Sequence, residues 1–296
     1  MSDVRTARKA CVAAMRASME DADLSDRRFA ARGRLVLALI GIMIAIQGLR
    51  SVLSTDADTR LILTFAFVPA SLTRLFDGRA VANAASVLIG QDGASAQDIV
   101  LLLGPQGFRW WTPFTYALLH GGWTHVLVNA VWLAAFGSAV ARRFGGPRFL
   151  LFFFVTALGG VAAHCITHAQ DFAPLVGASA AISGAMAAAA RFAFAPGAPL
   201  GPNARRGTLD AYEGAPLPLR AVLRDTRVMT FLATWFGANF MFGALMTPVG
   251  IADASIAWEA HIGGFVTGFL LFRLFDPVRG PSDLSETLPP SPPPAP

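Results

Sequence analysis

The chain is short of charge. Only 15% of its 296 residues are Asp, Glu, Lys or Arg, against 54% hydrophobic. Soluble domains carry roughly 25% charged residues. The shortage excludes an ordinary soluble domain and points to an integral membrane protein. Cysteine is scarce as well. Cys11 and Cys165 lie in an Arg-rich tail and an apolar stretch, which excludes a disulfide scaffold and offers no thiol metal or redox pattern. No small-residue cleavage pattern follows the charged first 34 residues, so the first apolar run reads as a retained anchor. The excess of +5 is carried almost wholly by arginine. In a membrane chain that excess reads as topology information rather than as a nucleic-acid footprint.

Six apolar stretches are present: Leu35–Leu53, Phe114–Ala141, Phe149–Ala169, Phe172–Ala190, Val228–Ala252 and Ile256–Phe272. Most approach the roughly 20 residues that cross a bilayer as a helix. The expected fold is all-α, a polytopic membrane bundle of six transmembrane helices over residues 35–275. A cytoplasmic tail, 1–34, precedes it and a disordered Pro-rich tail, 276–296, follows it. The long loop 54–110 holds a shorter run, Leu61–Ala70, expected to lie in the interface. The Pro/Gly/Ala-rich stretch 195–218 is expected to be a flexible cytoplasmic loop. Arg142, Arg143 and Arg148 lie between the second and third stretches. Arg205, Arg206, Arg220, Arg224 and Arg227 lie between the fourth and fifth, and Arg273 and Arg279 follow the sixth. The connections around Gln170–Asp171 and Pro248–Ser255 have no Lys or Arg. The positive-inside rule then puts both termini in the cytoplasm.

That orientation, argued from arginines alone, gathers five polar groups at one depth near the outer face. His120, His125 and Asn129 lie early in the second stretch, Ser179 in the fourth and His261 in the sixth. Unpaired polar side chains are costly in hydrocarbon, so such a set marks a functional site. His125 and Asn129, four apart, share a helix face. The fourth stretch is nearly free of large side chains around Gly177, Ala178, Ala180, Ala181 and Gly184. The sixth carries Ala260, Gly264 and Gly268 at four-residue intervals. Small faces let helices approach closely in lipid, as a hydrogen bond between Ser179 and His261 requires.

A serine hydroxyl becomes a nucleophile when a base takes its proton, and His261 is the candidate base. His125, Asn129 and the backbone N–H of Ser179 suit an oxyanion. No acid in the spans is placed as a third triad member. Glu259 adjoins His261 but points elsewhere on the helix and reads as an outer-interface residue. His164 and His168 have the spacing of a metal pair, yet no carboxylate or thiol joins them convincingly, so no metal is expected. Without paired charges or an inverted repeat, a transporter is disfavoured.

Three motifs in order carry a resemblance: His120-x4-His125-x3-Asn129, Gly177-x-Ser179, and Ala260-His261-x-Gly-Gly264-x3-Gly268. With them the chain resembles the rhomboid family of intramembrane serine proteases over roughly residues 35–275. The resemblance implies Ser179 as nucleophile, His261 as general base, and His125 and Asn129 lining the oxyanion hole, with His120 and Gly177 in supporting positions. It implies cleavage in or beside the spans of other membrane proteins, single-span or polytopic, with the lipid bilayer as medium, no cofactor and no nucleic acid. A bacterial cytoplasmic membrane is the implied location. The alternative is a catalytically silent rhomboid-like factor that binds membrane proteins. Three positions depart from the family pattern. Ala180 follows the serine where glycine is frequent. Ser183 stands where an aromatic often supports the histidine. The loop's Trp-Arg pair appears as Trp111-Thr112, with Arg109 just before.

Overall fold

The computed structural model describes residues 2–91, 95–104, 107–199, 203, 209–241 and 257–278. The described residues are helical with one isolated antiparallel bridge, Phe67 to Leu175, and no β-strand. Three of these helices are long and apolar enough to cross a membrane: Met19–Arg50, Trp123–Phe144 and Gly146–His168. The chain is thus an all-α polytopic membrane protein.

The first helix, α1 (Ser2–Arg50), is continuous. No proline interrupts residues 2–50, and the Ala, Arg, Leu and Met content favours helix. The segment expected as a separate tail, 1–34, therefore extends the first span from Ser2 onward. The stretch expected as loop 54–110 folds into four helices: α2 (Thr55–Phe65), α3 (Pro69–Thr73), α4 (Gly78–Gln91) and α5 (Ala96–Leu103). Val68, Ala70, Val81, Ala85, Ile99, Leu103 and Phe172 give this unit a small core of its own. The run Leu61–Ala70 does not lie as one element. Its helix ends at Phe65, and Phe67 exchanges backbone hydrogen bonds with Leu175 at 3.2 and 2.7 Å.

Two spans differ from their hydropathy. The second begins at Trp123 rather than Phe114. Before it lie α6 (Thr112–Thr115), a 3-10 turn (Tyr116–Leu118) and extended backbone at Leu119 and Gly122. It then runs through α7 (Trp123–Trp132), a π turn (Leu133–Gly137) and α8 (Ser138–Phe144). The fourth span is only α10 (Ser179–Ala190), 12 residues or about 18 Å. Phe172–Ala178 is not helical, because Leu175 is held by Phe67 and Gly177 adopts φ +123. Ser179 thus opens its helix instead of lying about two turns inside one.

The centre of the bundle is α10 packed against α9 (Gly146–His168) and α13 (Trp258–Phe275). Two further helices follow, α11 (Leu219–Arg224) and α12 (Thr226–Phe240), and Trp235 of α12 stacks on Phe265 of α13. Asp225 caps α12 by accepting from the Arg227 N–H at 2.9 Å. The rest of the expected fifth span, 242–252, lies outside the described residues, as do Ile256, Arg205, Arg206, Arg279 and the tail from 281.

At the end of the bundle away from Ser179, Arg143 is fully buried. It makes a bidentate pair with Asp276 at 2.9 and 2.8 Å and donates to the carbonyls of Tyr212 and Gly214. The arginine read as a loop charge is an internal cross-link. Asp276, placed by sequence in the disordered tail, closes α13 onto α8. Part of the stretch 195–218 is docked likewise: Ala211 and Tyr212 are buried, and the Leu217 N–H donates to the Arg191 carbonyl at 2.7 Å.

Candidate active site

The contact between the serine-bearing and histidine-bearing helices is made of missing side chains. A Cβ added to Gly264 would fall 2.0 Å from the Ala180 carbonyl oxygen, and one on Gly268 would fall 2.5 Å from that of Gly184. The pairs 180/264 and 184/268 step together by four, so α10 and α13 run parallel in register. On that register His261 lies two residues, roughly 3 Å, from the level of Ser179. His261 and Gly264, three apart, share the face turned to α10. α9 closes the third side, with Gly160 against the Ala180 Cβ and the Ala260 carbonyl, and Gly159 against Thr267.

Ser179 is half-buried at the first position of α10. The first bond closing this helix runs from the Ile182 N–H to the Ala178 carbonyl at 2.9 Å. The N–H groups of Ser179 and its successors therefore have no partner within the helix, and the positive end of the helix dipole lies here. Gly177 just ahead holds its positive φ and donates to the Tyr116 carbonyl at 3.0 Å. Tyr116 is buried and donates to the Ala157 carbonyl at 2.8 Å. The serine's approach segment is thereby pinned to α9.

His125 faces this point. A Cβ on Gly177 would meet the His125 Cε1 and Nε2 at 2.9 Å and the Ser179 Oγ at 3.7 Å. The space left by Gly177 is bounded by that imidazole edge and the serine hydroxyl. The His125 Nδ1 accepts the Gly121 N–H at 3.2 Å. A neutral ring so held carries its proton on Nε2, the nitrogen turned toward Gly177. His125 is also near enough to His261 for their charged forms to repel. Asn129 is buried one turn on, and its Nδ2 donates to the His125 carbonyl at 2.9 Å. That leaves its second N–H for another acceptor.

His120 is buried and stacks edge-on against His125, with centroids 5.0 Å apart. It belongs to the unwound turn before α7, not to the span's helix. Its carbonyl accepts from Arg50 Nη1. Arg50 also makes a bidentate pair with Asp58 at 2.7 and 3.1 Å. In the sequence Arg50 is a single charge near the end of the first apolar stretch. In the structure it fastens the turn that presents Gly121 to His125. A lone Arg at a span boundary followed eight residues later by Asp was the available signal.

The departures from the family pattern find partners. Ser183, in the aromatic's place, donates to the Ser179 carbonyl at 2.6 Å. The aromatic beside His261 comes from α12 instead: Trp235 lies with its ring centroid 6.3 Å away. Arg109 and Trp111 both anchor the loop. The last four carbonyls of α2 would be orphans. Ile62 is satisfied by the Ala66 N–H at 2.7 Å, Leu63 by Arg109 at 2.9 Å, Thr64 by Trp111 Nε1 at 2.9 Å and Phe65 by Thr115 Oγ1 at 2.6 Å.

One reading is corrected. The sequence offers no carboxylate to His164 and His168, yet Glu259 supplies one. It lies between His164 and His168, with carboxylate oxygens 4.0 and 3.9 Å from their Nδ1 atoms. A carboxylate therefore does join the histidine pair of α9. The partner sits 91 positions away on α13, beyond the reach of any local spacing argument.

Comparison with known proteins gives the family. Residues 107–276, which include every residue of the three motifs, match the Rhomboid domain. The Bacillus subtilis (strain 168) protein YdcA is 35% identical over 99 residues, covering 33% of this chain and 47% of that protein. RHOMBOID-like protein 5 of Arabidopsis thaliana is 32% identical over 161 residues, 54% of this chain and 42% of that protein. Rhomboid protease GluP of Bacillus subtilis (strain 168) is 35% identical over 162 residues, 54% of this chain and 25% of that protein. The chain thus spans less than half the length of these relatives. With more than half of its own length matched to the domain, it belongs to the rhomboid family.

Proposed function

We propose that this protein is an intramembrane serine endopeptidase that cleaves other membrane proteins in or beside their spans. The observation that carries the proposal is the opening of α10 at Ser179, against the His261 face of α13 and beside the Nε2 edge of His125. The similarity to Rhomboid protease GluP supports the same reading.

In the proposed reaction His261 accepts the Ser179 proton as Oγ bonds to the scissile carbonyl carbon. The carbonyl oxygen becomes an oxyanion. The Ser179 backbone N–H, the His125 Nε2–H and the Asn129 amide donate to it, at the positive end of α10. The C–N bond breaks as His261 returns the proton to the leaving amine. Water then attacks the acyl ester, with His261 again as base, and frees the serine. No group outside the chain is required. His120 and Gly177 act by position, the first bracing His125 and the second keeping the space beside Oγ open.

Arg142, Arg148, Arg220, Arg224 and Arg227 support a site facing the exterior and both termini in the cytoplasm, and the similarity to proteins of Bacillus subtilis supports a bacterial cytoplasmic membrane as the setting. Single-span or polytopic proteins in the same bilayer are the proposed substrates. Detergent-purified full chain is expected to cleave a single-span substrate and to be labelled by a fluorophosphonate. Ser179→Ala abolishes both with the fold retained, and His261→Ala abolishes labelling. Cleavage by the Ser179→Ala variant at the wild-type rate overturns the proposal. A wild-type chain that neither cleaves nor labels yet retains membrane clients would be a silent binding member of the family.

A further inference from the structure

We propose that His164, His168 and Glu259 form a binding site for a divalent transition-metal ion of the zinc class. The site would bridge the last turn of α9 and the first turn of α13. One potential ligand atom from each of the three residues lies within 4.8 Å of the others. Two imidazoles and one carboxylate are a set that zinc accepts, with water in the fourth position.

The geometry is close to what such an ion needs. Ligands about 2.0–2.2 Å from a tetrahedral ion lie roughly 3.3–3.6 Å from one another. The observed histidine–carboxylate separations are 4.0 and 3.9 Å, to the two different oxygens of Glu259, and all three ligand atoms lie within 4.8 Å, so the groups need to close by up to about 1.5 Å. The two rings stack with centroids 4.7 Å apart and an interplanar angle of 14°. The ring planes are nearly parallel, so the part-exposed His168 ring has to turn for both Nδ1 lone pairs to meet one ion.

A second observation points to a ligand. His164 is 7% exposed, and its buried Nδ1 has no hydrogen-bond partner. Unpaired buried polar atoms are rare and costly, and this one is aimed at the Glu259 carboxylate from beyond hydrogen-bonding distance. The competing partner is the Thr167 Oγ1, 2.8 Å from the His168 Nδ1. His168 has a side chain 42% exposed, so it is free to turn from the hydroxyl to an ion and offers the ion a path from solvent.

Metal at this site would tie α9 to α13 two residues before His261. The inference does not depend on the peptidase reading, because its test measures binding rather than cleavage. The full chain, purified in detergent without a polyhistidine tag and stripped with chelator, is titrated with Zn2+ by calorimetry. It is then loaded with Co2+ and its visible spectrum recorded. One equivalent of Zn2+ is expected to bind, Co2+ to give ligand-field bands displaced by Zn2+, and saturating Zn2+ to raise Tm. Glu259→Gln and His168→Asn each weaken binding at least tenfold. His168→Asn is the variant safest for folding, its side chain being partly exposed. Ser179→Ala binds as the wild type does, which separates this site from the one around His125 and His261. Absence of stoichiometric binding to the wild type, or equal binding by the combined His164→Ala, His168→Asn, Glu259→Gln variant, overturns the proposal.

Discussion

The two ends of α10 are built on opposite principles. At the Ser179 end the neighbouring backbone is unwound on both sides, at Phe172–Ala178 and at Leu119–Gly122, and contacts are made by Gly160, Gly177, Ala180 and Gly264. At the other end Phe144, Phe152, Phe192, Phe272 and Phe275 interlock through ring contacts between 5.2 and 6.4 Å. The buried Arg143–Asp276 pair crosses that cluster, with the guanidinium 4.7 Å from the centre of the Phe192 ring. Dense aromatic packing holds one end rigid without leaving space. Small residues and open backbone leave space at the other end, and polar clamps such as Arg50 hold it. The proposed admission of a peptide and water needs the second arrangement, and the fold tolerates it because the first anchors the same helix.

The comparison breaks hardest at Gly264. Its added Cβ would meet the Ala180 carbonyl at 2.0 Å and the Ala180 carbonyl carbon at 2.6 Å, and backbone cannot step aside as a flexible side chain can. Gly264→Val is expected to cost more than about 4 kcal/mol and to separate α10 from α13. It should remove both the folded species in size-exclusion chromatography and all cleavage. Next comes the anchor. Arg143→Ala leaves Asp276 buried without its partner, an expected loss of about 3–5 kcal/mol. Thermal unfolding in detergent should show it as a large fall in Tm. Cleavage per folded molecule should persist well below that Tm, because no group at the Ser179 end is touched. Loss of kcat in fully folded Arg143→Ala would show that the two ends are not separable.

The sequence was most legible where spacing alone carries the chemistry. The small residues around Gly177–Gly184 and the four-residue rhythm of Ala260, Gly264 and Gly268 point to a close α10–α13 contact without coordinates. Hydropathy misplaced the starts of two spans, because an apolar segment reads the same whether helical or extended. Phe172–Ala178 stays extended through a bridge to Phe67, over a hundred residues away, and no local pattern encodes that pairing. Charge counting missed one pair for a similar reason. Arg143 and Asp276 are 133 positions apart, so one read as a topology signal and the other as tail. Glu259 was weighed only against its neighbour His261, while its partners lie on α9. Local periodicity survives in the sequence; partnerships across the bundle do not.

A smaller change sharpens the contrast from within the open end. Gly177→Ala puts a Cβ 2.9 Å from the His125 ring and asks alanine to adopt φ +123. The strain is about 1–3 kcal/mol, partly relieved if the ring tilts. Tilting the ring moves the Nε2 edge away from Ser179, so cleavage should fall roughly a hundredfold while Tm drops only modestly. Enzyme kinetics beside a melting curve would separate the two effects. A fall in Tm with kcat intact would mean that His125 does not act at the reacting carbonyl.

The mildest test concerns the clamps. Arg109, Trp111 and Thr115 each satisfy one terminal carbonyl of α2. Arg109→Ala frees only the Leu63 carbonyl, for a loss of about 1 kcal/mol. The Trp111 and Thr115 bonds still hold the neighbouring carbonyls, so the effect should stay local. Amide hydrogen exchange is expected to quicken in the last turn of α2 and in Thr112–Leu118, with exchange across α9, α10 and α13 unchanged and cleavage within about twofold of wild type. If the loosening instead spreads through Tyr116 to Gly177, whose N–H the Tyr116 carbonyl accepts at 3.0 Å, the loop helices belong to the open end as part of its frame. The boundary between the two constructions would then lie further along α10 than the packing alone implies.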